Sequence, residues 1–187
     1  MGSQYQEISD ADKTFIESQP LFFVGTADQE GRVNISPKGM DSLRVLSPHR
    51  VVWLNVTGSG NETAAHIAAH DRMTLMFCAF EGKPLILRLY GHATVVHPHD
   101  SQWEVLSACL PQIPGARQIF DLRVDLVQRS CGMAVPYMSF EGQRDDLWNW
   151  AEKKGKDGLQ GYWERKNGES LDGKPTHIFP STNTDST

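Results

Sequence analysis

Apolar and polar positions alternate with a period of two through much of the chain before residue 130, which predicts strands. Leu21–Ala27 (LFFVGTA) and Arg32–Ser36 read as two strands joined by the turn Asp28-Gln-Glu-Gly31, hence a hairpin. In the second strand Val33 and Ile35 share one face, and Arg32, Asn34 and Ser36 the other. Pro37 is expected to stop the ladder and bring Lys38-Gly39 close by, with Met40–Pro48 a loop carrying Arg44. Arg50–Thr57 is a third strand, with Val51, Trp53, Asn55 and Thr57 on one face and Val52, Leu54 and Val56 on the other. Arg72–Phe80 (RMTLMFCAF) is apolar almost throughout and reads as a central strand buried on both sides.

Leu85–Val96 alternates cleanly. Leu85, Leu87, Leu89, Gly91, Ala93 and Val95 form its apolar face, opposite Arg88, Tyr90, His92 and Thr94. A glycine in the middle of such a face implies a bend or a close approach to the backbone. In Ile119–Arg129, Phe120, Leu122, Val124 and Leu126 point inward. Four helices punctuate the strands. Ser9–Ser18 is capped by Ser9; a helix to about His70 starts at Ser59-Gly-Asn-Glu62, which matches the capping box S-x-x-E. Asp100–Leu110 and the amphipathic Arg144–Lys154 are the others, with further helical turns over Asp157–Lys166. Strands linked by hairpins predict an antiparallel barrel and exclude a Rossmann sheet. Residues 1–179 are expected to form one domain, and the polar tail 180–187 to be disordered.

Composition narrows the chemistry. The 187 residues carry 18 Lys+Arg against 23 Asp+Glu, a net charge of −5. That balance offers nucleic acid or an anionic membrane no overall attraction, so an anionic ligand needs a local cluster of cations and N–H groups. Cys78, Cys109 and Cys131 are odd in number and far apart, which favours a reducing cytoplasmic setting over a disulfide scaffold. No signal sequence or membrane-spanning run is visible. His66/His70 and His97-x-His99 lack the further ligands zinc needs, so no metal site is expected. Nucleophile elbows, Walker A and G-x-G-x-x-G are absent.

What remains is a set of polar rows able to converge. Arg32, Asn34 and Ser36 adjoin Lys38; Asn55 and Thr57 lead into the turn Gly58-Ser-Gly60 and the helix start at Asn61, Glu62 and Thr63; Arg88 lies on a neighbouring strand. Cations, hydroxyl and amide donors, and helix N–H groups are what a phosphate requires. Tyr90, His92 and Cys131 are candidates for acid–base work, but structural roles suit each better, and no catalytic residue is assigned.

The stretches FFVGTADQEGRVNISPKG, VVWLNVTGSGNETAAHIAAHDRMTLMFCAF, LILRLYGHATVV and RSCGMAVP resemble, in order and spacing, the pyridoxamine 5′-phosphate oxidase-like FMN-binding split-barrel superfamily across Leu21 to Pro136. The resemblance implies a mainly β (α+β) fold: a six-stranded antiparallel Greek-key split β-barrel with flanking helices. It implies a homodimer with FMN at the interface, acting as an oxidoreductase on a small-molecule substrate it does not name. It points to Ser36, Lys38, Asn55, Thr57, Asn61, Glu62, Thr63 and Arg88 as cofactor-binding residues. Many members carry basic residues where this chain has Glu62-Thr63, so the phosphate charge would fall to Lys38, helped by Arg88 or Arg44. The same barrel also suits a non-catalytic flavin- or haem-binding protein, or a reductase using the deazaflavin F420.

Overall fold

The computed structural model describes residues 2–180. All but the first residue of the expected tail, 180–187, lies outside them. One antiparallel sheet organises the chain. Its strands are β1 (Ser3–Tyr5), β2 (Phe22–Thr26), β3 (Asn34–Lys38), β4 (Leu43–Ser47), β5 (Arg50–Val56), β6 (Arg72–Cys78), β7 (Ile86–Val96) and β8 (Ala116–Ser130). They follow the order β3-β2-β6-β7-β8-β5-β4, with β1 added onto β8. The sheet curls without closing, the open arrangement of a split barrel. Helices α1 (Asp10–Ser18), α2 (Glu62–Ala69), α3 (Trp103–Ser107) and α4 (Asp146–Lys166) flank it.

Among the described residues, eight strands replace the expected six. The additions are β1 and β4, the latter lying in the segment read as a loop. Leu43 and Val45 make that stretch a strand by burying against β5, a tertiary reward that local sequence does not display. Pro37 does not stop β3. It faces Phe23 inside the ladder, and pairing continues to Lys38 opposite Phe22. The proline is tolerated because β3 is an edge strand, where no neighbour asks for its missing N–H. The extra pair places Lys38 two residues beyond Ser36, on the face shared with Asn34.

The barrel interior is filled by Val24, Trp53, Leu75, Phe77, Leu87, Leu89, Phe120 and Leu122, all at most 1% exposed. Phe22 meets the Trp53 ring edge-on, and Phe120 stacks on it at 4.5 Å. Strand β5 is apolar on both faces because it divides two cores: Val51 and Trp53 serve the barrel, Val52 and Leu54 a second cluster with Leu106, Leu110 and Ile119. Strand β6 is buried on one face only, since Thr74 and Met76 are half-exposed on the other. Gly91 shows the expected close approach. A Cβ there would run into the carbonyl of Arg123 and stand 3.0 Å from Val124 Cα. The bulge beside it shifts the register of β8, so that Val127 turns inward and Leu126 outward.

Two expectations about helices change. α1 carries a full capping box between Ser9 and Asp12. The one expected at Ser59–Glu62 does not form: the N-cap of α2 is Asn61, and the Glu62 carboxylate accepts instead from the Leu171 N–H at 2.9 Å. The two segments read in the C-terminal region are one element, α4, broken at Gly155 by a φ of 63°. Its Ala151 and Leu159 are buried near Gly115, and Trp163 Nε1 donates to Thr57 Oγ1 at 2.8 Å.

Candidate functional site

Four of the eight anticipated residues, Ser36, Lys38, Glu62 and Thr63, line a cleft of about 520 Å³. Strand β3 supplies Ser36 and Lys38 to one wall; the turn Gly58–Gly60 and the first turn of α2, with Glu62 and Thr63, form the opposite side. Asn61 lies buried beneath that turn. The third side comes from the end of α4 and the following hairpin, through Lys166, Ser170 and Leu171.

The polar groups here are short of partners. Ser36 Oγ and Asn61 Oδ1 have none among the described residues. Lys38 Nζ reaches Asn55 Oδ1 at 3.5 Å, lies 5.5 Å from the centre of the Trp53 ring, and has no carboxylate within 4.0 Å among the described residues. Burial, and after it the charge of Arg117, pull the Lys38 pKa down to about 8. Asn34 Nδ2 donates to Thr63 Oγ1 at 3.2 Å, joining β3 to α2 across the cleft. No side chain caps α2, which leaves its first N–H groups for a ligand.

The other anticipated residues do different things. Asn55 is 2% exposed and passes the contact inward, donating from Nδ2 to Gln118 Oε1 at 3.2 Å. Thr57 is buried and tied to Gly115 O and Trp163. Arg88 is not brought to the cleft. It donates to Ser130 Oγ at 3.1 Å and lines a separate pocket of about 540 Å³ on the outer face of β2, β6 and β7, with Phe23, Met76 and Tyr90. Arg44 is held by Asp41 at 2.8 Å. Val33 and Ile35, the apolar face of β3, flank the outer pocket at 69% and 70% exposure.

A residue that sequence reasoning passed over stands behind the cleft. Arg117, the second residue of β8, is 3% exposed and has no carboxylate within 4.0 Å among the described residues. It donates from Nη1 to Gly60 O at 3.1 Å and to Asn167 Oδ1 at 2.6 Å, while its Nε has no partner. Burial pushes its pKa down to about 10. The sequence offers no signal for it, because its burial depends on Asn167, fifty positions away.

The hairpin after α4 is pinned from both ends. Asp172 accepts from the Arg32 N–H at 2.8 Å and pairs with its guanidinium; Lys174 pairs with Asp28. No helix among the described residues is long and apolar enough to cross a membrane.

Comparison with known proteins bears on this geometry. A family model described as pyridoxamine 5′-phosphate oxidase matches residues 8–131. The pyridoxamine 5′-phosphate oxidase family protein ustO of Aspergillus flavus is 39% identical over 139 residues, covering 72% of this chain and 56% of that protein. The chain thus spans little more than half the length of this curated relative. Among solved structures, HupZ of Group A Streptococcus aligns with a TM-score of 0.52 at 21% identity, over 64% of this chain and 91% of its own. A candidate pyridoxamine 5′-phosphate oxidase of Lactobacillus delbrueckii aligns with a TM-score of 0.51 at 20% identity, over 66% and 98%. At that identity the two structures speak for the fold alone.

Proposed function

The chain belongs to the pyridoxamine 5′-phosphate oxidase family, and from that premise we propose that it is an FMN-dependent oxidoreductase. The observation that carries this reading is the cleft between β3 and α2. Although Glu62 and Glu169 also line it, it combines Lys38, which has no carboxylate within 4.0 Å among the described residues, a Ser36 hydroxyl with no partner among them, and a helix start with no side-chain cap. These are the donors a phosphate needs, and they fit the phosphate end of FMN.

Lys38, Ser36 and the first N–H groups of α2 would hold the phosphate. Asn55 keeps the Lys38 ammonium in place. Glu62 does not oppose the ligand freely, because its carboxylate is engaged by the Leu171 N–H. When bound, the flavin supplies the ability to accept and return a hydride; the protein supplies binding and orientation. The protein works as a homodimer in the cytoplasm, with the partner covering the outer face of β3, β2, β6 and β7. Exposed Val33 and Ile35 beside the Arg88 pocket support that arrangement, and three free cysteines support a reducing compartment.

The test is direct. The purified protein is expected to be yellow, or to bind added FMN, and to release FMN on denaturation. Lys38→Ala should weaken FMN binding by about tenfold or more, the scale of one charge-assisted phosphate contact. A colourless protein that ignores FMN, yet binds haem or F420, would replace this reading with one of those.

A further inference from the structure

We propose that a second cavity, bounded by the end of α1, the turn after β3 and the segment of residues 138–148, is a binding site for a flat organic cation such as an aromatic ammonium compound. It shares no lining residue with the cleft between β3 and α2, and it does not depend on that cleft binding a flavin. Its volume is about 840 Å³, within the range of small-molecule sites. Five stretches of chain meet around it: residues 17–20, Met40 and Asp41, Phe80 and Glu81, the loop before β8, and the segment 138–148.

The walls are aromatic and thioether. Phe80, Phe140 and Trp148 line the cavity together with Met40 and Met138. Among the described residues, none of these three rings pairs with another ring, and no Lys or Arg lies over any of them. Met138, Phe140 and Trp148 are 56%, 55% and 37% exposed, so apolar surface is left facing water. The segment that carries them is tied down. The Met138 N–H donates to Phe80 O at 3.1 Å, and the Phe140 N–H to Glu81 Oε1 at 3.4 Å. Gln143 clasps the opposite rim: it accepts from the Met40 N–H at 3.1 Å and donates to Pro20 O at 2.9 Å. The turn it grips is strained. Met40 and Asp41 are consecutive non-glycine residues at φ of 62° and 54°, and both line the cavity.

Charge decides the class of ligand. The charged residues of the lining are Glu17, Asp41, Glu81, Arg144 and Asp145. Three of them have partners. Glu17 pairs with Lys13 at 3.8 Å, Asp41 with Arg44 at 2.8 Å, and Arg144 with Asp146 at 4.0 Å. Glu81 and Asp145 have no cation within 4.0 Å among the described residues. Asp145 stands at the N-cap position of α4 but makes no side-chain cap bond, so its carboxylate is not committed to the helix. Two negative charges thus remain beside an aromatic cavity, in a chain whose net charge is −5. Ring faces attract a cation and so do the carboxylates; an anion meets both with the wrong sign, and a neutral ring gains the apolar contact alone.

Fluorescence titration with thioflavin T, a flat aromatic cation, and with its uncharged N-desmethyl analogue tests this. Wild type should bind the cation about tenfold more tightly at low salt, and the preference should shrink as salt is raised. Glu81→Gln and Asp145→Asn should each lower cation affinity about threefold to fivefold and together remove the preference, with the neutral analogue unaffected. Trp148→Leu should weaken both ligands. FMN binding should be unchanged in Glu81→Gln. Should either carboxylate variant fail to fold, the salt dependence and the charge preference of wild type carry the test. Equal binding of the two compounds, binding of neither, or wild-type cation affinity in the folded double variant overturns the proposal. So does a cavity that admits thioflavin T only on dilution to monomer, since a second copy of the chain would then be its occupant. Preferred binding of the cation by a protein that ignores FMN would remove the flavin reading and leave the proposal standing.

Discussion

Lys38 holds its charge where solvation is poor, and that has a consequence for stability as well as for binding. Its folded pKa of about 8 lies below the ordinary 10.5, so the folded state is penalised for holding the proton. The penalty is fully present below pH 8 and fades as pH rises from 8 to 10.5. The ligand-free protein should therefore gain stability over that window, read by urea denaturation at a series of pH values. Lys38→Met should stabilise it at pH 7 by about 1–3 kcal/mol after allowance for screening, while binding phosphate less tightly. A destabilised Lys38→Met protein would mean that the lysine has a counter-ion after all. Gly91 makes a second prediction at this scale. Because a Cβ there meets the Arg123 carbonyl, Gly91→Ala should cost about 1–3 kcal/mol or more. The glycine was legible in the sequence, since a gap in an apolar strand face has few other causes. Arg117 was not, since nothing local distinguishes a buried arginine at a strand start from the many exposed ones.

Among the elements, β3 shows how partial such legibility is. Alternation puts Asn34 and Ser36 on one face and Val33 and Ile35 on the other, and the structure keeps that division but leaves the apolar pair exposed. Periodicity reports that two faces differ in polarity; it does not say which one the rest of the chain covers. Lys38 entered the row only because an edge position lets Pro37 stay in the ladder. α2 is the complementary case. The helix was evident from its apolar spacing, but its cap was misread because Glu62 finds a partner more than a hundred residues away. The hairpin of residues 168–176 has no pattern of its own and is held by side chains it meets. Releasing one of them should be measurable. Asp172→Ala removes the acceptor for the Arg32 N–H and should speed hydrogen exchange at Leu171, opening the third wall of the cleft. Arg32 holds the Asp172 carboxyl below its usual range, foremost through that N–H, so the tether persists at neutral pH and is lost as pH falls through the lowered value.

For the whole molecule, the antiparallel sheet and its hairpin connections were readable from pattern, because an antiparallel sheet with one buried face writes its period into the chain, and the open, split form came with the family resemblance. The strand count was not, because β1 and β4 are strands by virtue of what they pair with. The outer face of β3, β2 and β6 gives the prediction at this scale. Ile35→Glu should convert a dimer to a monomer in light scattering and lower FMN retention with it; a dimer that survives would place the interface elsewhere. The family match ends at residue 131, yet the wall that completes the cleft and the amide that holds Arg117 come from residues 166–176. The last helix and hairpin thus supply the third wall of the cleft from outside the family match. A chain shortened before residue 166 should keep its sheet, read by circular dichroism, and lose FMN binding, read by titration; unchanged binding would mean that the cleft does not need this wall.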